Sequence, residues 1–410
     1  MSAPATKIKD PLLKVTDSFL QNPYCYYKEL RDIDPVVWSD QGKYWIITSY
    51  ADAKNALADL KFIKNSSIFA SGNIVIQTIS KLIPQVMPPS TSMLLANPPD
   101  HTRLRGLVNK AFTPSMVASM RDHIQKIADN LLDQVQAKGA MDIVSDYAFP
   151  LPITVIAEML GVPKQDHAMF KEWSNDLIPI LEPGAKAPKI MRAAVARKKL
   201  IKYILPLIEA RRESPRDDLI SAFTQAEEAG KHLTEPEMLS NIILILVAGH
   251  ETTVNLISNS VLGLLTHPDQ LQLLKDKPEL LPNAIDEFLR WNSPVQITRR
   301  MLSEDVDYNG KKMKAGDIVV VCQGAANHDP SIFPDPEQLD ITRDNANKHL
   351  AFGHGIHHCL GSALAGLEGQ IAIDTLWKRM PNLKLAMDPD KVTWKRPFSL
   401  RGPTQLPVTF

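Results

Sequence analysis

The chain has 410 residues, of which 44% are hydrophobic, so it can bury a large core. Its lysines and arginines equal its aspartates and glutamates at 46 each, which argues against nucleic acid as the main partner. Three cysteines are too few for a disulfide framework, and the N-terminal "MSAPATKIKDPLLKVTDSFL" has no apolar stretch as long as a signal peptide or a membrane anchor requires. We therefore expect a cytoplasmic protein without a membrane anchor.

The predicted elements are mostly helical, with a few short strands. Near the N-terminus, "PVVW" and "KYWIITSY" flank the turn-forming "SDQG" and predict a β-hairpin. The segments "MVASMRDHIQKIADNLLDQVQAK" and "ITVIAEMLGV" carry apolar residues at helical spacing. Strands return from "PVQITRRML" to "DIVVVCQGAAN", with a strong hairpin turn at Asn309-Gly310. Prolines are spread along the chain and no repeat is found, so we predict one domain, residues 1–410, mainly α with smaller β regions.

The most apolar stretch, "NIILILVAGHETTVNLISNSVLGLL", lies inside a long predicted helix. Thr234 and Glu237 fit a capping box with Pro236 in the first turn, and the helical pattern continues to about His267-Pro268. At about 1.5 Å per residue, roughly 30 residues give a helix of about 45 Å, which is long enough to cross a domain. We expect this helix to be the spine of the fold.

A polar cluster, "AGHETTVN", interrupts this helix. His-Glu begins the two-histidine zinc signature, but Val254 occupies the position of the second histidine, so that interpretation fails. At about 100° per residue, one narrow face of the helix comprises Asn241, Ile245, Ala248, Thr252, Asn255 and Asn259. Taken alone, this is most simply a buried face whose threonines bond to the preceding turn. However, Ala248 and Gly249 leave room for a small ligand beside Glu251 and Thr252, and a threonine can open a local bulge.

A glycine-rich loop precedes another predicted helix near the C-terminus. Within "HLAFGHGIHHCLGSALAGLE", the pattern F-G-x-G-x-H-x-C-x-G comprises Phe352, Gly353, Gly355, His357, Cys359 and Gly361. Glycines this dense bend the backbone around something flat and close. A cysteine at a helix N-terminus is favoured as the thiolate, which is a metal ligand. A zinc knuckle of His354, His357, His358 and Cys359 is the alternative, although zinc requires neither Phe352 nor the glycines.

The loop and the long helix together resemble those of the cytochromes P-450, in which the loop cysteine is the proximal thiolate of haem iron. The resemblance covers nearly the whole chain and implies the P-450 fold, with the long helix crossing the haem. It implies haem b, iron protoporphyrin IX, as the cofactor. Cys359 is then the metal ligand, and Phe352 and Gly361 belong to the loop that surrounds it.

The same resemblance assigns residues to the haem propionates, which need cationic or hydrogen-bonding partners. His101 and Arg105, four apart on one predicted helix face, are two of them. Arg300 and His357 are the others, and Arg299 replaces Arg300 if the register slips by one.

An E-x-x-R pair also matches the family. Glu287 and Arg290 form this pair, and Arg343 occupies the place of the third member of its ion network. Such a pair on any helix is usually a solvated contact of little energetic value. Its position before the cysteine loop leads us to assign it to folding and pocket support.

The reaction that the resemblance implies is insertion of one oxygen atom from O2 into a substrate C–H bond. O2 binds beside Ala248 and Gly249, and Thr252 with Glu251 delivers protons so that the O–O bond breaks. The Cys359 thiolate favours that step by donating electron density. A hydrogen-peroxide-driven peroxygenase, which by family pattern lacks the acid–hydroxyl pair, and a non-enzymatic haem-binding sensor, which would not need it, are the alternatives.

The electron supply is expected to be separate. Only 51 residues follow Cys359, too few for a fused reductase, so the resemblance implies a ferredoxin or flavodoxin and its NAD(P)H-dependent reductase. Candidates for a basic docking face are Arg103, Lys110, Arg121 and Lys348. Gly366 stands where most soluble relatives carry Arg, which weakens the helix by about 1 kcal/mol relative to alanine and removes a cation from the proximal side.

The substrate is predicted to be a bulky lipophilic molecule of the polyketide or macrolide, steroid or fatty-acyl type. Residues 69–97 match the variable pocket loop of the family, and "LIPILEPGAKAPKIM" matches its lid. The predicted pocket residues are Ile245, Val295, Gln296 and Phe398. They indicate a roomy apolar pocket with few polar anchors.

Overall fold

The structure, a computed structural model, describes residues 10–65, 92–178, 187–228, 230–396 and 398–410. Its α-helices are α1 (Asp17–Gln21), α2 (Pro23–Ile33), α3 (Tyr50–Ala58), α4 (Asp100–Ala111), α5 (Pro114–Ser119), α6 (Arg121–Gln136), α7 (Pro150–Met159), α8 (His167–Leu177), α9 (Ala187–Glu213), α10 (Leu219–Gln225), α11 (Glu235–Thr266), α12 (Pro268–Asp276), α13 (Leu281–Trp291), α14 (Gln323–Ala326) and α15 (Ser362–Arg379).

Its strands are short, and most of them occur in residues 36–63 and 298–321. They are β1 (Val36–Ser39), β2 (Tyr44–Ile47), β3 (Phe62–Ile63), β4 (Ala140–Asp142), β5 (Glu227–Glu228), β6 (Lys231–His232), β7 (Thr298–Leu302), β8 (Val306–Tyr308), β9 (Lys311–Met313), β10 (Ile318–Val321), β11 (Lys384–Leu385) and β12 (Pro407–Thr409). The predicted fold class, mainly α with smaller β regions, is therefore confirmed.

The largest sheet has the strand order β1-β2-β10-β7-β3. β1 and β2 form the predicted N-terminal hairpin, with Val36 opposite Ile47. β8 and β9 form the second hairpin, and Asn309 and Gly310 both have positive φ, 50° and 78°. A two-residue hairpin turn that matches the strand twist requires positive φ at both positions, which explains the choice of Asn-Gly.

Helix α11 is the spine of the fold, as predicted. The backbone N–H of Thr234 donates to Oε2 of Glu237 at 2.8 Å, which completes the predicted capping box. Helices α7, α8, α9, α10, α12, α13 and α15 all pack against α11. Among the described residues it alone is long and apolar enough to cross a membrane, but 72% of its most apolar window is buried inside the fold. It is thus a core helix.

Helix α11 is a continuous α-helix over its whole length, without the bulge that a threonine can open. Thr252 Oγ1 donates to the carbonyl of Ala248 at 2.9 Å, and Thr253 Oγ1 donates to that of Gly249 at 3.1 Å. Both threonines thus bond to the preceding turn without disturbing the helix. This is the simpler of the two expectations from the sequence.

The E-x-x-R pair is fully buried, and Arg343 beside it is nearly so. The guanidinium of Arg290 donates to both carboxylate oxygens of Glu287, at 2.6 and 2.8 Å, and Arg343 Nε lies 3.3 Å from the same carboxylate. Arg290 also donates to backbone carbonyls of the segment that precedes the cysteine loop, including those of Asn327 and Gln338. The network therefore anchors that segment to α13.

Candidate active site

A cavity of about 310 Å³ lies between α11 and the glycine-rich loop, and its walls are mostly apolar. From α11 the cavity is lined by Leu244, Ile245, Ala248, Gly249, Thr252, Thr253 and Leu256. The opposite wall is the loop that carries Cys359, together with Phe352 and Gly361. The fold thus brings together the two motifs that the sequence singled out, although 96 residues lie between Asn255 and Phe352.

Glycines decide the path of the cysteine loop. Gly353 and Gly355 have φ of 74° and 70°, in the region that side chains disfavour. A Cβ on Gly355 would also lie 2.6 Å from the carbonyl oxygen of Leu57, so the loop passes α3 only with glycine there. The backbone N–H of Cys359 then donates to the carbonyl of Phe352 at 2.9 Å, which closes the loop and fixes the cysteine at the cavity.

The protonation of Cys359 depends on more than its position before α15. Its side chain is exposed to the cavity, but the surrounding protein atoms still keep much of the solvent away, and this desolvation raises its pKa, whereas the backbone N–H of Gly361 and the positive charge of Arg105 lower it. Desolvation outweighs the other two effects, so the prediction that the helix terminus favours the thiolate is not supported by the local electrostatics. A cation in the cavity is needed to hold the thiolate, and a ferric haem iron has the required charge.

A cluster of cations, of which Arg300 is buried and the others are half-buried, lines the same cavity. Lys64, Arg105 and Arg300 belong to it, and the only carboxylate among the described lining residues is that of Glu368. Burial lowers the pKa of Arg300 to about 10. Burial and the charge of Arg300 also lower the pKa of Lys64, whose Nζ donates to Thr298 Oγ1 at 3.0 Å. Buried and half-buried cations without a matching anion indicate a site for an anionic ligand.

Two histidines complete this cluster. The rings of His101 and His357 meet edge to face with centroids 4.4 Å apart. His101 is 3% exposed, and its Nε2 has no hydrogen-bond partner among the described residues. Burial, with the charges of Arg300 and Lys64, lowers the pKa of His357 to about 2, so its ring is neutral at physiological pH. The unpaired nitrogen of His101 can donate a hydrogen bond to a carboxylate, and the cations beside it can form ion pairs. Together they suit a ligand with two carboxylates, such as haem.

The structure chooses between Arg299 and Arg300 by strand alternation. Successive side chains of β7 point to opposite faces, so Thr298 and Arg300 share the cavity side. Arg299 lies on the other side, where burial lowers its pKa and the nearby Tyr44 raises it. Lys64 was not predicted, because a lysine next to a two-residue strand has no distinguishing pattern in the sequence.

Glu251 and Thr252 are adjacent in sequence but face different spaces. Thr252 lines the cavity, whereas the Glu251 carboxylate turns away and accepts from Lys395 Nζ at 2.7 Å. The same Nζ lies 2.9 Å from Oδ1 of Asn255. No sequence pattern marks this lysine, which comes from the C-terminal segment and reaches α11 only in the folded chain.

Glu251 lies at the bottom of a second, more open cavity of about 630 Å³. This crevice, as we call it, runs between α8, the start of α9 and the C-terminal segment. Its charged lining comprises Lys171, Lys189, Arg192, Lys395, Arg396, Asp176 and Glu251. Solvent can therefore approach the carboxylate from the side opposite to the first cavity.

Glu368 of α15 is a further acid at the cavity. It is 2% exposed, it interacts with Thr253, and its Oε1 has no hydrogen-bond partner among the described residues. Burial raises its pKa to about 8, so it is largely neutral at pH 7. The family pattern Leu-Glu marks this position in the sequence, but its burial at the cavity wall is visible only in the structure.

Of the predicted pocket residues, Ile245 and Val295 line the cavity. Gln296 does not, because it follows Val295 in extended chain and points the other way, donating from Nε2 to the carbonyl of Ser293 at 2.8 Å. Phe398 packs edge to face on Phe19 with centroids 5.4 Å apart, in a separate cluster. The prediction is therefore corrected for Gln296 and Phe398.

The predicted variable loop and lid are described only in part. Met93 and Leu94, from the end of the loop, line the cavity. The rest of that loop, residues 69–91, and residues 179–186 of the lid lie outside the described residues.

Two other predictions change with the structure. Arg103 forms an ion pair with Glu237 of α11, so it is not free to form part of a docking face. Within the described parts of the chain, no three His, Cys, Asp or Glu side chains are arranged to hold a metal ion, which removes the zinc interpretation of the cysteine loop.

Comparison with known proteins agrees with this site. Residues 42–380 match the cytochrome P450 family. The biotin biosynthesis cytochrome P450 of Bacillus subtilis (strain 168) is 43% identical over 399 residues, which are 96% of this chain and 98% of the relative. The 6-deoxyerythronolide B hydroxylase of Saccharopolyspora erythraea is 40% identical over 400 residues, 96% of this chain and 97% of the relative.

A solved structure shows the same arrangement of the backbone. The crystal structure of P450BioI in complex with an acyl carrier protein ligated to hexadec-9Z-enoic acid matches with a TM-score of 0.89 and 42% identity. The match covers 97% of this chain and 100% of that chain. Because family, relatives and fold agree over nearly the whole sequence, the chain belongs to the cytochrome P450 family and is a monooxygenase with a haem-thiolate cofactor.

Proposed function

We propose that this monooxygenase, with residues 1–410 acting as one unit in the cytoplasm, hydroxylates a fatty-acyl chain or a molecule of similar bulk and polarity. The observation that carries the proposal is the apolar cavity between Thr252 and Cys359. Its walls offer a long substrate many apolar contacts and few polar anchors. The relatives named above include one solved with an acyl carrier protein ligated to hexadec-9Z-enoic acid and one that is a hydroxylase of 6-deoxyerythronolide B.

Haem b is the cofactor that we propose for the cavity. Cys359 would be the ligand of its iron, with Phe352 and Gly361 beside the sulfur. Its two carboxylates would be held by the cations Lys64, Arg105 and Arg300, together with the rings of His101 and His357. Bound haem supplies the activation of O2 and the transfer of one oxygen atom to the substrate.

The residues of α11 would leave room for a ligand at the cavity and would supply protons to it. Ala248 and Gly249 would leave room beside the cofactor, since they place no more than a methyl group and a hydrogen atom at the cavity wall. The Thr252 hydroxyl faces that space, and the Glu251 carboxylate faces the crevice. We propose that a proton enters through the crevice, is taken up at Glu251 and passes to the Thr252 hydroxyl when the carboxylate turns away from Lys395. General acid catalysis of this kind contributes about 10²- to 10⁴-fold.

Electrons would come from a ferredoxin or a flavodoxin and its NAD(P)H-dependent reductase. We propose that the carrier docks on the side of Cys359, where Gly366 leaves a gap in the positive charge. A Cβ on Gly366 would meet no atom within 4 Å among the described residues, so packing does not require glycine there. We therefore expect an acidic carrier to be attracted less strongly to this protein than to relatives that carry arginine at this position.

The absorption spectrum tests the cofactor and its ligand. The purified protein, reduced under carbon monoxide, should show the shifted Soret band of a thiolate-ligated haem, and Cys359→Ser should lose that band. A colourless protein that cannot be loaded with haem would overturn the proposal.

Turnover tests the reaction itself. Hexadec-9Z-enoic acid should change the spin state of the haem and be hydroxylated when NADPH, a ferredoxin and its reductase are supplied. Product that forms with hydrogen peroxide alone, and not with O2 and electrons, would identify a peroxygenase instead. Ligand binding without any product would identify a sensor.

A further inference from the structure

Helix α9 carries an exposed basic face that the proposed function leaves without a role. From Ala187 to Ile208 the helix contains six lysines and arginines and no aspartate or glutamate. The cations are Lys189, Arg192, Arg197, Lys198, Lys199 and Lys202. A run of one sign over about six helical turns is not needed for folding, because like charges on neighbouring turns destabilise an isolated helix.

The geometry of α9 separates this face from the core. Its buried side consists of Ile190, Ala193, Ala196, Leu200, Ile204 and Ile208, at helical spacing. At about 100° per residue, Met191, Val195, Lys198 and Lys202 form a strip on the opposite side, with Arg192 and Lys199 at its edge. We call these six residues the α9 strip.

Two members of the α9 strip are exposed hydrophobic residues. Met191 is 46% exposed and Val195 is 54% exposed, and they are two of the few large apolar side chains that the described surface leaves open. They form one side of a groove of about 250 Å³, whose floor includes Trp173 and Ala196. Apolar side chains next to a groove and ringed by cations are the usual composition of a protein interface, with an apolar centre and a polar rim.

The charges of the strip are available to a partner. Lys198, Lys199 and Lys202 are exposed, and within the described residues none of them forms an ion pair. Arg192 does pair with Asp176, at 2.7 Å, but its side chain is largely exposed. The basic crevice begins beside the N-terminal end of the strip, so the positive surface continues toward Glu251.

We infer that the α9 strip is the docking site for an acidic acyl carrier protein that presents the fatty-acyl substrate as a thioester. The inference rests on the proposed function for the identity of the acyl cargo. A partner with carboxylates along one helix and an apolar side chain between them matches the strip in both charge and shape. The relative solved with an acyl-loaded carrier protein shows that a P450 of this type can accept such a partner.

Two other occupants fit the observations less well. An acidic electron carrier must approach Cys359, and no residue of α9 lines the cavity beside that cysteine. The buried side of α9 instead belongs to the same apolar cluster as Met93 and Ile245, which line the cavity where a substrate would lie. An anionic membrane is bound by helices that insert a wide apolar face, and the wide apolar face of α9 is buried in the core.

The test is a binding experiment with the haem-loaded full chain. The probes are a bacterial acyl carrier protein, unacylated and loaded with hexadec-9Z-enoate, the free acid, and vesicles of phosphatidylglycerol. The variant reverses three charges, Lys198→Glu/Lys199→Glu/Lys202→Glu. The matched control reverses three exposed lysines elsewhere, Lys126→Glu/Lys138→Glu/Lys384→Glu, which have no ion pair among the described residues.

We expect the wild type and the control to bind both forms of the carrier protein, more weakly at high salt, and the α9 variant to bind them about tenfold less tightly or worse. The spin-state response to the free acid should be the same in all three proteins, which shows that the variant is folded. Equal binding by the variant, or binding of vesicles in place of the carrier protein, would overturn the inference. A response to the free acid without any binding of carrier protein would reject docking and leave the proposed function standing.

Discussion

Lys395 and Glu251 join the C-terminal segment to the central helix through an ion pair, with Nζ of the lysine 2.7 Å from Oε1 of the glutamate. The carboxylate is nearly buried, whereas the lysine is partly exposed in the crevice. The pair therefore holds the acid on the side of α11 that faces away from Thr252. In our proposal, proton delivery requires this contact to open and to re-form in each turnover.

Replacing Lys395 tests whether the ion pair positions the acid. In Lys395→Met we expect product formed per NADPH to fall by about threefold to tenfold, with hydrogen peroxide making up the difference, because an acid without a fixed position delivers protons less efficiently. The KM for substrate should not change, since Lys395 does not line the substrate cavity. Arg396→Met is the control: Arg396 lines the same crevice but pairs with Asp17. Unchanged coupling in Lys395→Met would show that the pair is only structural.

The Thr252 hydroxyl should be more important than the ion pair. In Thr252→Ala we expect the ratio of product to NADPH consumed to fall by about tenfold or more, with electrons lost to hydrogen peroxide, because the hydroxyl that faces the cavity is gone. Thr252→Ser should recover most of the loss. Thr266→Ala controls for the helix itself, since Thr266 Oγ1 also donates four residues back, to the carbonyl of Leu262 at 2.9 Å. Full coupling in Thr252→Ala would remove this residue from the proton path.

Lys64 should affect haem retention rather than folding. Its charge is buried beside Arg300, so Lys64→Met should leave the haem-free protein equally stable or more stable. The haem-loaded variant should lose haem to apomyoglobin about tenfold faster than the wild type, because one partner of a haem carboxylate is missing. The control is Lys61→Met, which removes an exposed lysine paired with Glu304. A rate of haem loss equal to that of the wild type would place Lys64 outside the haem site.

Glu368 should make stability depend on pH. Its carboxyl has a pKa of about 8 in the folded chain, against 4.5 as the ordinary value. Below pH 4.5 both states are protonated and the stabilising effect is complete; as the pH rises from there to about 8 the unfolded state loses the proton first, so stability falls, and above about 8 it is constant. The total change is on the order of a few kcal/mol.

Glu368→Gln keeps a neutral side chain of the same shape and should remove that dependence. Thermal unfolding midpoints of the haem-loaded protein, measured at about pH 5 and about pH 9, should differ less in Glu368→Gln than in the wild type. Glu29→Gln, on the surface of α2, should behave as the wild type does. An equal pH dependence in Glu368→Gln would show that Glu368 is not a buried neutral acid.

The buried E-x-x-R network should be sensitive even to a conservative change. Arg290→Lys keeps the charge but cannot reproduce the paired bonds to Glu287 together with the bonds to three carbonyls. We expect a loss of about 3 kcal/mol or more in unfolding free energy, with poor haem incorporation. Breaking the exposed pair of Lys378 and Asp374 by Lys378→Met should cost at most about 0.5 kcal/mol. Similar losses in the two variants would contradict a structural role for the network.

The sequence alone determined the local elements and the chemistry of the two central motifs. The Thr234 capping box, the Asn309-Gly310 turn and the apolar run of α11 act over short distances, so neighbouring residues were enough to predict them. The spacing of glycines around Cys359 likewise predicted a bent loop. In these segments the physical cause lies within a few residues of its effect.

The tertiary structure decided which side chains share a space. Lys395 meets Glu251 and Lys64 joins Arg300 only when distant segments pack together, and no periodicity marks either lysine. Gln296 was misplaced because a single residue in extended chain reverses the direction of the side chain. Ion pairs and cavity walls depend on positions in space, and positions in space are set by the packing of the whole core around α11.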